Sequence, residues 1–221
     1  KEVERKIGRK RRIWYPGAIY HVMERGVQRQ KIFNDDMDYN TFIAILQKAV
    51  QVNNAHIHAY CLMSNHVHLL IETGTEDIGK VVNAVAGNYA KTYNKKYGLR
   101  GHLFEDRYKA CIVESDEYFL QTSRYIHLNP VKAKMVCHAE DYKWSSYRTI
   151  INMKDDGITT TAKTLGYFRA KGEIGYRDFV EDIAHKYIVS ENEIKGLSIN
   201  YYVLQEQVLI WMDMKRYVYQ I

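Results

Sequence analysis

The stretch "AHIHAYCLMSNHVHLLIE", residues 55–72, decides how this chain is read. Residues 55–63 form an apolar run of strand character. Ser64 and Asn65 supply a short turn, and 66–72 return as a second strand, so the segment predicts a hairpin. His66 and His68 lie two apart on the returning strand. Successive strand side chains alternate, so both imidazoles project from one face while Val67, Leu69 and Ile71 point the other way into a core. Polar groups on so apolar a strand need partners, because burying them unpaired is costly. Two imidazoles about 7 Å apart at Cα can share one metal ion. The same spacing recurs at His56 and His58, and exposed or hydrogen-bonded histidines would satisfy either motif. The His-x-His pattern alone therefore leaves both readings open.

Working outward, residues 17–26 alternate like a first strand closed by Gly26. Residues 36–52 place Phe42, Ile45, Leu46 and Ala49 at helical spacing, with Asp35 and Asp36 as candidate N-caps. Residues 76–97 are amphipathic and end near Gly98, a helix stop. Residues 102–114 read as another strand. Residues 115–130 open with a Ser cap and an acidic first turn, and Pro130 should limit or kink that helix after Asn129. The order β-α-β-β-α-β, then a helix, predicts an α+β chain. Its architecture is the ferredoxin-like split βαβ, an antiparallel sheet with helices on one face. The main domain then spans 13–150. "NMKDDG", 152–157, reads as a linker, and residues 158–221 as a small helical module.

The bulk composition narrows the classes. With 221 residues, 46% of them hydrophobic, the chain can build a real core. It has no apolar run of about 18 residues, so no membrane span is expected. The charged start has no apolar segment of the secretory type. Three scattered cysteines, Cys61, Cys111 and Cys137, suit neither a disulfide framework nor a zinc cage, and point to a reducing, cytoplasmic setting. The formal charge is +6, and residues 1–12 hold seven Lys/Arg against two Glu. A basic arm beside a folded domain suits a polyanion such as nucleic acid, although a solvated tail has the same composition. Nineteen tyrosines could stack on bases or fill a core.

"RYIHLNP", 124–130, adds a second candidate. Tyr125 and Asn129 are i and i+4, on one helix face. A carboxamide oxygen is a hard ligand that suits magnesium or manganese. A tyrosine one turn away can act as a nucleophile toward phosphorus. His127 falls on another face. Read alone, the segment is also compatible with an ordinary helix end, carrying a core tyrosine and an asparagine stop.

Taken together, "IYHVMERG", "AYCLMSNHVHLLIE", "GHLFEDRYKACIVE" and "SRYIHLNPVKAKMV" occur in an order that resembles the HUH-type single-tyrosine transposases, where HUH means His–hydrophobe–His. The branch resembled most is that of the REP-associated tyrosine transposases, over about residues 12–148. The resemblance implies that His66 and His68 are metal ligands, that Tyr125 is the nucleophile, and that Asn129 completes a site for Mg2+ or Mn2+. Several relatives outside that branch carry Gln at the last position. The His56/His58 pair has no counterpart. The implied activity is cleavage of single-stranded DNA near a hairpin, through a 5′-phosphotyrosine and a free 3′-OH, followed by rejoining. Free tyrosine titrates near pH 10, so the phenol needs assistance.

The implied partner is hairpin-bearing single-stranded DNA, with the protein a monomer or a homodimer. Arg9, Lys10, Arg11 and Arg12 of the arm, Arg25 and Arg29 near the first strand, and Arg107 with Lys109 are the candidate DNA contacts. Residues 178–198 resemble a helix-turn-helix, and faintly the DNA-binding end of the bacterial replication initiator DnaA; plain helical packing accounts for them equally well. Two rival readings stand beside this one. A transposase-derived protein could bind DNA hairpins without catalysis, or a hydrolytic nuclease could use the histidine metal site alone. Such nucleases usually gather carboxylates beside the metal, and these motifs contain none.

Overall fold

The computed structural model describes residues 13–105, 107–152, 155–168 and 171–190, with backbone alone for 182–190. Four strands form one sheet: β1 (Ile19–Arg25), β2 (His56–Met63), β3 (His66–Glu72) and β4 (Lys109–Ile112). Their order is β2-β3-β1-β4, with every neighbour antiparallel. That is the split βαβ arrangement expected from the element order. Among the described residues, six α-helices accompany the sheet: α1 (Asp36–Val52), α2 (Ile78–Tyr97), α3 (Asp116–Lys132), α4 (Tyr147–Asn152), α5 (Ala162–Gly166) and α6 (Gly172–Ser190).

The helix ends follow local chemistry. Asp35 caps α1, its carboxylate accepting from the Asp38 amide at 3.0 Å. Gly98 closes α2 in the left-handed conformation, φ 63°. Ser115 caps α3 through the Tyr118 amide at 3.2 Å. Pro130 does not stop α3, which runs on to Lys132. A proline in the last turn withholds one amide hydrogen bond but leaves the remaining helical bonds in place.

Helices α1 and α2 share one face of the sheet, as expected. They bury Phe42, Leu46, Val81, Val82, Val85 and Tyr89 against Tyr20, Val22, Val67, Leu69 and Ile71. The expectation of helices on one face does not extend to α3. Phe119 and Ile126 of α3 pack with Ile19, Ala59, Cys61, Met63 and Leu70 on the opposite face. Strand alternation gives the sheet two usable faces, and α3 covers the one the first two helices leave open.

Two further boundaries differ from the sequence reading. The last strand covers Lys109–Ile112 rather than 102–114. It pairs with Tyr20–Met23 of β1, and outside that ladder single contacts continue the approach: Val113 donates its amide to the Ile19 carbonyl, Glu105 donates to the Arg25 carbonyl, and Phe104 bridges to Gly26. The described end of the 152–157 stretch is tied to its neighbours. Asp156 accepts from the amides of Ile158 and Thr159 and from the Thr159, Thr149 and Tyr60 hydroxyls. Thr160 then donates its amide to the Ile57 carbonyl at 2.7 Å, laying the segment along the outer edge of β2.

Helix α6 packs on α3. Tyr176 and Val180 join Leu128, Tyr147, Ile150 and Ile151 in a third apolar cluster. The buried Tyr176 hydroxyl meets Ser123 Oγ and, at 2.7 Å, His127 Nδ1. His127 Nε2 in turn meets Ser146 Oγ at 2.8 Å. The first half of the expected helix-turn-helix, 178–190, is continuous α6, and its second half lies outside the described residues. The basic arm, with Arg9, Lys10, Arg11 and Arg12, also lies outside them.

Candidate active site

The site is built on the α3 face of β3. His66 and His68 occupy that face, with Leu70 packed among its apolar neighbours. Cross-strand pairing sets Met23 against His68 and Arg25 against His66. His68 is fully buried and His66 half-buried. Burial pushes His66 down to about 4, with the Arg25 charge adding to the effect. It holds His68 well below the usual histidine range, helped by His21, His66, Arg25 and Lys132. Both imidazoles are therefore neutral at pH 7, the state a metal ligand needs.

Two residues not singled out in the sequence hold these rings. His21, on β1, stacks on His68 with centroids 5.3 Å apart, and its Nε2 lies 3.0 Å from His68 Nδ1. Asn65, in the β2–β3 turn, places its Oδ1 2.6 Å from His66 Nδ1. Alternation along "IYHVMER" puts His21, Met23 and Arg25 on one face, and that was the available signal for His21. The partner it serves becomes visible only once β1 pairs with β3.

Tyr125 comes from α3. Its ring stands edge-on to His68, with centroids 5.5 Å apart and planes at 89°, and 5.8 Å from the His21 ring. Lys132 Nζ sits 4.7 Å from the Tyr125 ring centroid, a cation–π contact. Asn129, one turn along, donates its side-chain amide to the Tyr125 carbonyl at 2.9 Å. Its nitrogen is thereby committed, and its oxygen is the ligand atom that remains. His68 thus lies against both His66 and Tyr125, and Asn129 bonds the Tyr125 carbonyl one turn along α3.

Among the described residues, no three His, Cys, Asp or Glu side chains form a cluster that could hold a metal. The expected donors are instead two imidazoles and a carboxamide. That set fits a cation in one respect: His68 Nε2 is buried with no partner while its Nδ1 is engaged. Histidine ligands characteristically bind through one nitrogen and hydrogen-bond through the other. The His56/His58 pair does not converge. His56 is exposed, while His58 bonds Glu72 Oε2 at 2.9 Å beside the Phe119 ring.

Four of the expected DNA contacts meet in one place. Arg25, Arg29, Arg107 and Lys109 line a cleft of about 310 Å3 with Met23, Glu24, Glu105 and Tyr108. The β1–β4 pairing that sets Met23 against Lys109 joins the two halves. Arg29 sits in a tight turn after β1 where Gln28 and Arg29 both have left-handed backbones, φ 50° and 59°. Gly26 opens that turn because a Cβ there would lie 2.4 Å from the Gln30 carbonyl oxygen.

Fold and site together define a ferredoxin-like sheet with a paired-histidine strand and a facing tyrosine helix. The family model described as "Transposase IS200 like" matches residues 15–129, more than half of the chain. The protein belongs to the IS200-like transposase family. Among solved structures, the chain is similar to one described as a REP-associated tyrosine transposase bound to a REP hairpin. The TM-score is 0.56 at 16% identity, covering 70% of this chain and 90% of that one, a likeness of fold. A protein from Deinococcus radiodurans R1, described as a candidate transposase, aligns at TM-score 0.39 and 22% identity, covering 53% and 95% of the two chains. Curated proteins give no match. No helix among the described residues is long and apolar enough to cross a membrane.

Proposed function

We propose that this protein cuts and rejoins single-stranded DNA at hairpin-associated sites, using Tyr125 as nucleophile and a divalent ion, Mg2+ or Mn2+, held by His66, His68 and Asn129. The observation that carries the reading is the Tyr125 ring edge-on to His68 at 5.5 Å, with His68 Nε2 buried and unpartnered. The description of the similar solved structure as hairpin-bound supports the choice of partner.

When bound, the ion would polarise the scissile phosphate and offset the charge developing on it. The protein's own residues do the rest. Arg25 and Lys132, whose charges already bear on His68, favour an anion beside that ring. The cleft of Arg25, Arg29, Arg107 and Lys109 guides the adjoining backbone. Tyr125 Oη forms a bond to phosphorus as the P–O3′ bond breaks. The products are a 5′-phosphotyrosine and a strand ending in 3′-OH. Attack by a 3′-OH reverses the exchange, so rejoining needs no outside energy.

The test is a denaturing gel of labelled hairpin-bearing single strands with wild type and Tyr125→Phe, in Mn2+. Wild type should give a covalent protein–DNA adduct, and Tyr125→Phe neither adduct nor cleavage. An adduct mapped to another tyrosine defeats the assignment. Cleavage without an adduct favours a water nucleophile, and binding without cleavage by wild type favours the non-catalytic alternative.

A further inference from the structure

Both expected ligand rings are engaged at the same atom, Nδ1, by residues that no motif reading assigned. At His66 the local bonds fix the proton. Asn65 Nδ2 lies 3.2 Å from the Arg29 carbonyl oxygen. A carbonyl can only accept, so the nitrogen must be the atom on that side. The Asn65 atom 2.6 Å from His66 Nδ1 is then its oxygen, and an oxygen of this kind also only accepts. His66 Nδ1 must therefore carry the hydrogen, which leaves Nε2 as a bare lone pair. The orientation of Asn65 is held further by its backbone, whose carbonyl accepts from the Gly26 amide at 2.9 Å.

At His68 the partner is another imidazole. His21 Nε2 and His68 Nδ1 are 3.0 Å apart, so one donates and the other accepts. If His68 Nδ1 accepted, the proton of neutral His68 would sit on Nε2, a buried atom with no acceptor. A buried donor left unpaired costs about 1–3 kcal/mol. With Nδ1 donating to His21, the proton is satisfied and the buried Nε2 is a lone pair, the form a cation requires.

We propose that Asn65 and His21 are positioning residues which fix His66 and His68 in the Nδ1-protonated tautomer, so that both Nε2 lone pairs face a single cation. The proposal deepens the metal reading and rests on it for the identity of the ligand. The tautomers themselves are a property of the metal-free protein. Each residue acts through the ring it holds, from a different strand connection: His21 through β1–β3 pairing, and Asn65 through the β2–β3 turn and the tight turn at Arg29.

Long-range 1H–15N correlation spectra of the metal-free protein at pH 7.5 read the protonated nitrogen of each ring directly. Wild type should show Nδ1 protonated and Nε2 bare in both His66 and His68. Asn65→Ala should disturb the tautomer of His66 alone, and His21→Ala that of His68 alone. Each should weaken Mn2+ binding by roughly 10–100-fold, the usual effect of losing such a partner. His21→Gln keeps an acceptor and should keep the His68 tautomer and most of the affinity; Asn65→Asp keeps the acceptor toward His66 and should keep its tautomer, while losing the bond to the Arg29 carbonyl. An Nε2-protonated ring in wild type overturns the proposal, as does a variant that leaves its partner's spectrum unchanged. Wild type with the stated tautomers and no Mn2+ affinity would sink the metal reading while the tautomer assignment stands.

Discussion

On β3, odd-numbered and even-numbered residues occupy different surroundings. Val67, Leu69 and Ile71 meet α1 and α2 in the largest apolar cluster. His66 and His68 meet His21, Tyr125 and the charges of Arg25 and Lys132. One face is packed by size and shape. The other holds neutral imidazoles in place by hydrogen bonds and cross-strand rings. A strand separates the two tasks at one-residue spacing, because successive side chains point opposite ways. Stability and chemistry should therefore respond to different substitutions on the same seven residues.

The largest expected effect tests that separation directly. Leu69→Ala should cost about 2–5 kcal/mol in a denaturant melt, the usual cost of a buried truncation. His66→Ala, at a half-buried position, should change stability by about 1 kcal/mol or less while abolishing Mn2+ binding and adduct formation. Equal losses of stability from both would erase the contrast.

The two faces also titrate in opposite senses. Glu24 points into the α1/α2 face beside an apolar cavity of about 10 Å3, with one carboxylate oxygen buried and unpartnered. Burial raises it from 4.5 to about 7. A group whose folded value is raised contributes stability that is complete below its unfolded value and is lost as pH rises through the folded one. Stability should therefore fall by on the order of 3 kcal/mol between pH 4.5 and 8 on account of Glu24. On the histidine face, His21 and His66 are lowered from 6.5 to about 4 by burial. Their contribution is present above pH 6.5 and lost as pH falls toward 4. Melts of metal-free Glu24→Gln against pH should lose the alkaline decline and keep the acid one. Persistence of the alkaline decline would clear Glu24 of it.

A smaller effect is expected behind α3. Tyr176→Phe removes the hydroxyl that partners Ser123 and His127, and should destabilise by about 1–3 kcal/mol by leaving buried polar atoms unpaired. No change in the melt would mean that a water takes the place of the hydroxyl. Smallest is Arg107→Ala in the cleft, expected to lower the slope of log K against log salt by about 1 with little change in hairpin preference. An unchanged slope would remove Arg107 from the phosphate contacts.

The sequence carried the periodic features well. Alternation on β3, the Asp35 and Ser115 caps and the Gly98 stop are local signals, and each appears where it was expected. The last strand was read too long because apolar texture in "HLFEDRYKACIVE" measures burial, whereas a regular ladder depends on the partner: it forms against Tyr20–Met23 alone, and Glu105 and Val113 reach β1 through single backbone bonds. Which sheet face α3 would cover is likewise not written in its own residues. Tyr125 and the His66/His68 pair were nameable as candidates through ordered motifs. His21 and Asn65 were not, because their meaning depends on which strand lies beside which. The basic cleft shows the same limit: Arg25 and Lys109 were nameable one by one, but only strand pairing makes them neighbours.

Helix α3 has a mechanical consequence. At 100° per residue, Ser123 and His127 fall about 160° from Tyr125, so the residues bonded to Tyr176 sit almost directly behind the tyrosine. If Tyr125 carries a DNA end, as proposed, tension on that end would pull on α3. The load would pass through Ser123 and His127 to Tyr176 on α6, and through Ser146 to the Tyr60 backbone of β2. Side-chain rivets at the back of a helix are suited to keeping a covalent cargo from dragging its anchor out of line. Under force, the first element to slip should be α6, and the tyrosine would lose its aim before the sheet lost a strand.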